Sequence, residues 1–187
     1  MFSIRRNVFE TNSSSTHSMA IPNNEVKYPE AISFNIGEFG WESNSPDPAD
    51  YFYTAIACLS KNEEEFNYYK SKLEKICREN NIIPLFGKVK FTEEYGYFDL
   101  EYGYIDHCGE LADFIKYLFD NKDKLLKFVT NGLVFTGNDN DDHSRQYIDR
   151  TEEYVEDYNC MTNKTEKIKN EYYSENYKNY EWHYKWN

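Results

Sequence analysis

The residues best suited to chemistry lie near the start of this 187-residue chain, in one run of small polar side chains. Thr11 to Ser18 concentrates hydroxyls, an amide and the imidazole of His17 between two short β-compatible stretches. Because Ser, Thr and Asn side chains bond nearby backbone groups, the pattern predicts a strand, a polar turn and a second strand. Such a turn would present its side chains to an anion, a nucleotide or a base edge. A flexible serine-rich linker is the alternative interpretation.

Two more polar clusters fall at predicted strand ends, where a rigid sheet positions mobile polar groups. Asp106 and His107 lie at a strand-to-helix junction, and residues 138–143 follow a predicted buried strand. If these clusters meet the opening turn, His17 and His107 could act as acid and base groups that carboxylates orient. The catalytic residues of that hypothesis are Glu10, His17, Asp106 and His107. The candidate binding residues are Asn12, Ser13, Ser14, Ser15, Glu38, Trp41, Asp139, Asp141, Asp142, Glu152, Glu153, Tyr180 and Trp182.

Signatures of metal sites and of known nucleophiles are poor in this sequence. The acidic run from Asp139 resembles the start of a calcium loop, but Ser144 stands where that loop needs glycine and Arg150 where it needs glutamate. We therefore expect no metal site and no cofactor, with a weakly held Mg²⁺ as the open alternative. The four cysteines form no Cys-x-x-Cys pair, which disfavours structural zinc and is typical of reduced thiols in a cytosol. Nucleophile-elbow, zinc-protease, phosphate-loop and dinucleotide motifs are absent from the sequence.

The formal net charge is −12, and the middle of the chain carries nearly all of the excess. Residues 93–160 contain 17 acids and 6 bases, a net of −11, whereas residues 161–187 have 5 lysines and 4 glutamates. Such a region would repel a nucleic-acid backbone, but it suits a basic protein partner by steering the encounter. Plain solubility is the alternative explanation. No run of 18 apolar residues occurs, so we expect a cytoplasmic protein without a membrane span.

Capping residues and hydrophobic periodicity predict an α+β fold. Asp47 with Pro48 is suited to begin a helix, and Asn62 to begin the next one. Alternating aromatic residues from 180 to 186 predict a final strand. The predicted helices are 49–59, 63–79, 110–121, 123–129 and 144–158, and the other predicted strands are 31–36, 82–86, 88–91, 95–105 and 133–136. We expect one compact domain (1–160) with several helices packed on a mixed or antiparallel sheet, and an aromatic-rich segment (161–187) packed on the same domain.

The opening Arg-Arg-x-Val-Phe-Glu-Thr-Asn-Ser-Ser-Ser-Thr-His-Ser (5–18) resembles that of a group of small proteins encoded by bacteriophages and mobile elements. Gly-Glu-Phe-Gly-Trp-Glu (37–42), Tyr-Phe-Tyr-Thr-Ala (51–55) and Ile-Asp-His (105–107) are similar to later landmarks of that group. The resemblance covers about the first two-thirds of the chain. It implies a phage origin and, through anti-CRISPR members of the group, an inhibitor of Cas9 in a bacterial host cell.

Two functions of different classes follow from these patterns. The first is an acidic inhibitor that binds a basic nucleic-acid-guided nuclease, such as Cas9 with its guide RNA, and blocks nucleic-acid binding or cleavage. Its contacts are expected in residues 93–157 and in the aromatic tail, and direct nucleic-acid binding is not expected. The second is a small enzyme or nucleotide-binding protein with a pocket lined by residues 10–18, 106–107 and 138–139.

Overall fold

The computed structural model describes residues 15–40, 44–94, 97–138, 153–159, 161, 163–169 and 175–185. The α-helices are α1 (Pro48–Leu59), α2 (Glu63–Glu79), α3 (Ala112–Asp120) and α4 (Lys122–Asn131). The strands are β1 (Ser15–Pro22), β2 (Ala31–Phe34), β3 (Glu38–Phe39), β4 (Ile83–Phe86), β5 (Phe91–Glu94), β6 (Tyr97–Leu100), β7 (Tyr104–Ile105), β8 (Leu133–Asn138), β9 (Tyr154–Asn159), β10 (Lys164–Lys169) and β11 (Tyr180–Lys185). Short 3₁₀ helices span Cys108–Leu111 and Glu175–Asn179. The α+β class predicted from the sequence is confirmed.

The strands are divided among several small sheets rather than joined in one. β1 lies between β11 and β8 and is antiparallel to both, with His17 opposite Lys185 on one side and Thr136 on the other. β2 pairs with β4 and β3 with β7, both in parallel, whereas β5–β6 and β9–β10 are antiparallel pairs. The aromatic strand predicted near the C-terminus is β11, so that segment is an outer strand of the sheet centred on β1.

Helix α1 is the main internal element, because Tyr51 to Ala57 are all buried. It begins where the sequence predicts: the Asp47 carboxylate accepts hydrogen bonds from the backbone N–H groups of Ala49 (2.8 Å) and Asp50 (3.3 Å). The Asn62 side chain caps α2 in the same way through the N–H of Glu65. Burial of each large apolar side chain of α1 stabilises the fold by about 1.5–3 kcal/mol. This burial fixes the helix between β1 and the other helices.

The predicted polar turn at residues 11–18 is wrong for its second half. Ser15 to Ser18 belong to β1, and all four side chains are buried. A central strand satisfies its backbone groups on both sides, and hydroxyls can bond to the neighbouring strand, as Thr16 Oγ1 does to the carbonyl of Gly137 (3.3 Å). The burial and pairing of the whole strand therefore outweigh the local preference of Ser and Thr for turns. The rest of the predicted turn, and the strand expected before it, lie outside the described residues.

The predicted helix at residues 144–158 is wrong from Tyr154 onward. Tyr154 to Asn159 form β9, which pairs with β10 so that Val155 lies opposite Ile168. Tyr and Val are favoured in strands, and the spacing of the tyrosines fitted a helix only by coincidence.

No helix in the described part of the chain is both long and apolar enough to cross a membrane.

Candidate functional site

His17 lies at the centre of a buried hydrogen-bonded chain of three side chains. Its Nε2 is 3.1 Å from the hydroxyl oxygen of Ser15, and its Nδ1 is 2.8 Å from the hydroxyl oxygen of Tyr51. Strand β1 supplies Ser15 and His17 on the same face, two residues apart, and α1 supplies Tyr51 from the layer beneath. All three residues are buried, and His17 and Tyr51 have no exposed surface.

The Ser15–His17–Tyr51 network pairs a possible nucleophile with a base, but both groups are buried away from a substrate. A serine hydroxyl within hydrogen-bond distance of an imidazole is the arrangement that activates serine nucleophiles. Burial raises the pKa of Tyr51 well above its ordinary value, and the nearby Cys108 and Cys58 add to that effect, so its hydroxyl stays protonated. Ser15 and His17 are buried, so the part of the chain that the structure describes leaves the hydroxyl no open path to a substrate. The geometry is that of a satisfied polar network inside a core.

Asp106 approaches His17 across Gly40, a residue without a side chain. Gly40 has φ +123°, and a Cβ there would lie 2.6 Å from the Cβ of Asp106 and 3.2 Å from the Cε1 of His17. The structure therefore brings together two of the residues of the catalytic hypothesis. The Asp106 side chain is only 14% exposed, and its Oδ2 is buried without a hydrogen-bond partner among the described residues. Such a carboxylate oxygen is costly to bury.

His107 is next to Asp106 but points to a different environment. Its backbone is left-handed, with φ 52°, and its side chain is partly exposed. Its Nε2 is 4.0 Å from Asp106 Oδ1, which is too long for a hydrogen bond. One histidine of the hypothesis is thus enclosed in the core and the other lies at the surface, so they do not share a pocket.

The remaining predicted binding residues that the structure describes are spread over the molecule. Glu38 and Glu153 are exposed, at the start of β3 and just before β9. Trp182 is half-buried and nearly parallel to Phe135 with ring centroids 6.2 Å apart, so this part of the aromatic tail packs on β8. Burial raises the pKa of Tyr180, and neighbouring Tyr177 adds to the effect. The others, Glu10, Asn12, Ser13, Ser14, Trp41, Asp139, Asp141, Asp142 and Glu152, lie outside the described residues.

A polar cluster that sequence patterns missed joins α3 and α4 to β11. Glu181 accepts hydrogen bonds from Tyr117 (2.6 Å) and Lys124, and its Oε1 lies 3.0 Å from Nε2 of His183. Burial alone would raise the pKa of Glu181, but these hydrogen bonds and the Lys124 charge lower it to about 2. The charged form therefore ties the outer strand to the helices, a structural task. The pairing of β11 with β1 brings these residues together. Patterns among neighbouring residues in the sequence cannot predict how two distant strands align.

Two further observations limit the chemistry available. Among the described residues, no group of three or more His, Cys, Asp or Glu side chains is placed to hold a metal ion. Cys58 and Cys77 are free thiols, and burial, with a contribution from Glu74, raises the pKa of Cys77 to about 11. A cavity of about 470 Å³ includes Glu38 in its wall, but its lining contains neither His17 nor residues 106–107. The cavity is therefore not the pocket that the sequence predicted at the serine-histidine run.

No protein-family model matches the chain, and comparisons with curated proteins and with solved structures find no match either.

Proposed function

We propose that the protein is a binding inhibitor whose acidic surface docks on a basic nucleic-acid-processing protein of a bacterial host. Cas9 with its guide RNA is the partner that the sequence resemblance suggests, and the docked inhibitor would block nucleic-acid binding or cleavage. Carboxylates placed in a cationic groove take positions that phosphates would otherwise occupy. The excess of 11 negative charges between residues 93 and 160 makes such an encounter fast with a basic surface.

The observation that carries this proposal is that the acids and bases of residues 97–138 are used differently. Lys122, Lys124 and Lys127 are each held in an ion pair within the protein, with Glu79, Glu181 and Asp123 respectively. The exposed carboxylates of Asp99, Asp113 and Asp120 have no ion-pair partner among the described residues. Three of the four lysines in this range are therefore paired, and so are the acids Glu101 and Asp123, while the three exposed aspartates keep their negative charge available at the surface.

The outer face of α3 is the clearest stretch of this surface. Asp113 and Asp120 are seven residues apart, so they lie on the same side of the helix, and Glu110 is exposed just before it. Lys116 is the one exposed base on α3. The opposite face of the helix is anchored by Phe114, Ile115 and Leu118 in the core. A rigid helix with net negative charge is a suitable surface for a basic groove.

The buried state of the Ser15–His17–Tyr51 network favours this binding function over the enzyme hypothesis. A catalyst needs its nucleophile and base within reach of a substrate. Here the network is part of the packing between β1 and α1, so removing its chemistry should affect stability and leave partner binding intact. That expectation separates the two functions experimentally.

The test is binding to purified Cas9–guide RNA complex, measured by biolayer interferometry together with cleavage of a target DNA. We expect the association rate to fall by about tenfold or more between low and high salt, because charge steering is screened. The double variant Asp113→Asn/Asp120→Asn should weaken binding by about fivefold, mainly through slower association.

The matched control is Glu63→Gln/Glu64→Gln, which removes the same charge from exposed positions in the first turn of α2. It should bind within about twofold of the wild type, since rim charges away from a contact contribute little. Absence of binding, or binding indifferent to both salt and the Asp113/Asp120 change, would overturn the proposal. A pull-down from bacterial lysate at both salt concentrations then asks whether another basic nuclease is retained instead.

A further inference from the structure

The cavity of about 470 Å³ lies at a place in the fold where ligands commonly bind. β2 and β4 run parallel, and the two segments that follow their carboxyl ends, residues 35–38 and 87–90, form two of its walls. Tyr102 and Gly103, between β6 and β7, form the third. Crevices beyond the carboxyl ends of parallel strands are recurrent ligand sites, and this volume is within the usual range for small molecules.

The three walls are held together by backbone contacts, so the cavity exists before any ligand binds. The N–H of Gly87 donates to the carbonyl of Phe34 (2.8 Å), and the N–H of Tyr104 donates to that of Gly37 (3.0 Å). Gly103 has φ +88°, and a Cβ there would lie 2.2 Å from Cγ2 of Ile36. Only glycine permits this approach. A preformed cavity avoids much of the entropic cost of ordering its walls on binding.

The lining offers one aromatic ring together with two aliphatic side chains. Tyr102 is 68% exposed although it carries a large apolar ring, and Ile36 and Val89 are half-buried beside it in the cavity wall. The ammonium of Lys90 is 6.0 Å from the centre of the Tyr102 ring, which helps to fix the orientation of that ring. An exposed aromatic ring in a cavity wall that also contains aliphatic side chains is suited to stacking with a planar heterocycle.

The polar groups around the ring differ in charge. Lys88 is exposed and forms no ion pair with any residue that the structure describes, whereas Lys90 is 3.4 Å from the carboxylate of Glu101. Lys88 is thus a cation available to an anionic group. Glu38 is exposed on the opposite wall, and the Asn35 amide donates its N–H to Asp50, which leaves its oxygen as an acceptor. Carboxylate and amide oxygens are suitable acceptors for sugar hydroxyls.

We propose that this cavity binds a mononucleotide. The base stacks on Tyr102, the sugar hydroxyls donate to Glu38 and Asn35, and the phosphate pairs with Lys88. This inference goes beyond the proposed inhibitor function and does not depend on it, because the cavity and the outer face of α3 share no residue.

The experiment is isothermal titration calorimetry of the full chain with three probes: adenosine 5′-monophosphate, adenosine, and ribose 5-phosphate. The nucleotide should bind at least about tenfold more tightly than either fragment, because only it engages both the ring and Lys88. Tyr102→Ala should weaken binding of the nucleotide by about tenfold through the loss of stacking. Lys88→Ala should weaken it by about fivefold and reduce its dependence on salt.

Two matched controls carry the same substitutions outside the cavity. Tyr68→Ala removes a tyrosine of similar exposure, 64%, from α2, and Lys61→Ala removes an exposed lysine from the segment before it. Both should bind the nucleotide as the wild type does. The proposal is overturned if adenosine 5′-monophosphate produces no binding at millimolar concentration. It is equally overturned if adenosine alone binds as tightly, or if the cavity variants behave like their controls. None of these results bears on the proposed inhibition of the nuclease, which is tested separately.

Discussion

The two polar regions of this protein are opposite in construction. At the His17 region, residues with catalytic character are sealed in a core, and their polar atoms are directed mainly at one another. At the cavity beyond β2 and β4, residues with no recognised motif surround open space and keep Lys88 and Tyr102 exposed. Residue type therefore indicates potential chemistry, but access and unused charge decide where a ligand or partner can bind.

The two regions also differ in what their side chains contribute: stability at the His17 region, and binding at the cavity. The groups around His17 should contribute to the free energy of unfolding, because a buried polar atom that loses its partner is costly. The exposed side chains of the cavity and of α3 should contribute little to folding and much to binding.

Replacing His17 should have the largest effect. His17→Ala leaves the hydroxyls of Ser15 and Tyr51 without their imidazole partner and opens a cavity, so we expect a loss of about 3–5 kcal/mol in the free energy of unfolding, measured by urea denaturation. The control is His107→Asn, at an exposed left-handed position that Asn tolerates, with an expected change within about 0.5 kcal/mol. Equal stability of the two variants would contradict the buried-network assignment.

Adding a methyl group at Gly40 should come next. Gly40→Ala forces a Cβ to within 2.6 Å of the Cβ of Asp106 at a positive φ, which should destabilise the fold by about 2–3 kcal/mol in thermal or urea unfolding. At Gly109 an added Cβ meets no atom within 4 Å, so Gly109→Ala should change stability by less than about 1 kcal/mol. A neutral Gly40→Ala would mean that His17 and Asp106 do not approach each other as closely as described.

A matched pair of tyrosines on α1 measures the network directly. Both Tyr51 and Tyr53 are fully buried, but the Tyr53 hydroxyl has no hydrogen-bond partner among the described residues, whereas that of Tyr51 bonds to His17. Tyr51→Phe should cost about 1–2 kcal/mol, and Tyr53→Phe should be neutral or stabilising by up to about 1 kcal/mol. If urea unfolding shows a larger loss of stability for Tyr53→Phe than for Tyr51→Phe, the Ser15–His17–Tyr51 network does not stabilise the fold as assigned.

The smallest stability effects belong to the open region. Tyr102→Ala and Lys88→Ala remove exposed side chains, so each should change the free energy of unfolding by no more than about 0.5 kcal/mol. The same two variants are expected to bind the nucleotide more weakly, by about tenfold for Tyr102→Ala and about fivefold for Lys88→Ala. A large destabilisation would show that these side chains support the loops rather than a ligand.

Local rules were sufficient for the helices that begin with strong caps. The Asp47–Pro48 pair and Asn62 placed the starts of α1 and α2 correctly, because a capping side chain acts on backbone groups only two or three positions away. Local rules do not predict β1. Its serines favour turns, and only pairing with two distant strands makes them part of a buried sheet. The helix expected through Tyr154 failed for the same reason, since β9 depends on its pairing with β10.

The sequence also predicted part of the candidate site. It associated His17 with Asp106, and Gly40 brings the two side chains close together. It did not predict that His17 would be enclosed, because enclosure depends on α1 packing against β1. Nor did it indicate the cavity, whose walls come from three separate loops and require the parallel pairing of β2 with β4. Gly103, between two aromatic-rich strands, is a local signal that could have indicated it, since glycine there marks a close approach of backbones.

The proposed binding function is tested most directly by inhibition of target-DNA cleavage by Cas9–guide RNA, measured side by side for two variants. Tyr51→Phe alters the buried network, and Asp113→Asn/Asp120→Asn alters the exposed acidic face of α3. We predict that Tyr51→Phe inhibits as the wild type does, while the acidic-face variant needs about fivefold more protein for the same inhibition. Loss of inhibition in Tyr51→Phe, with full inhibition by the acidic-face variant, would contradict the account and assign the activity to the His17 region.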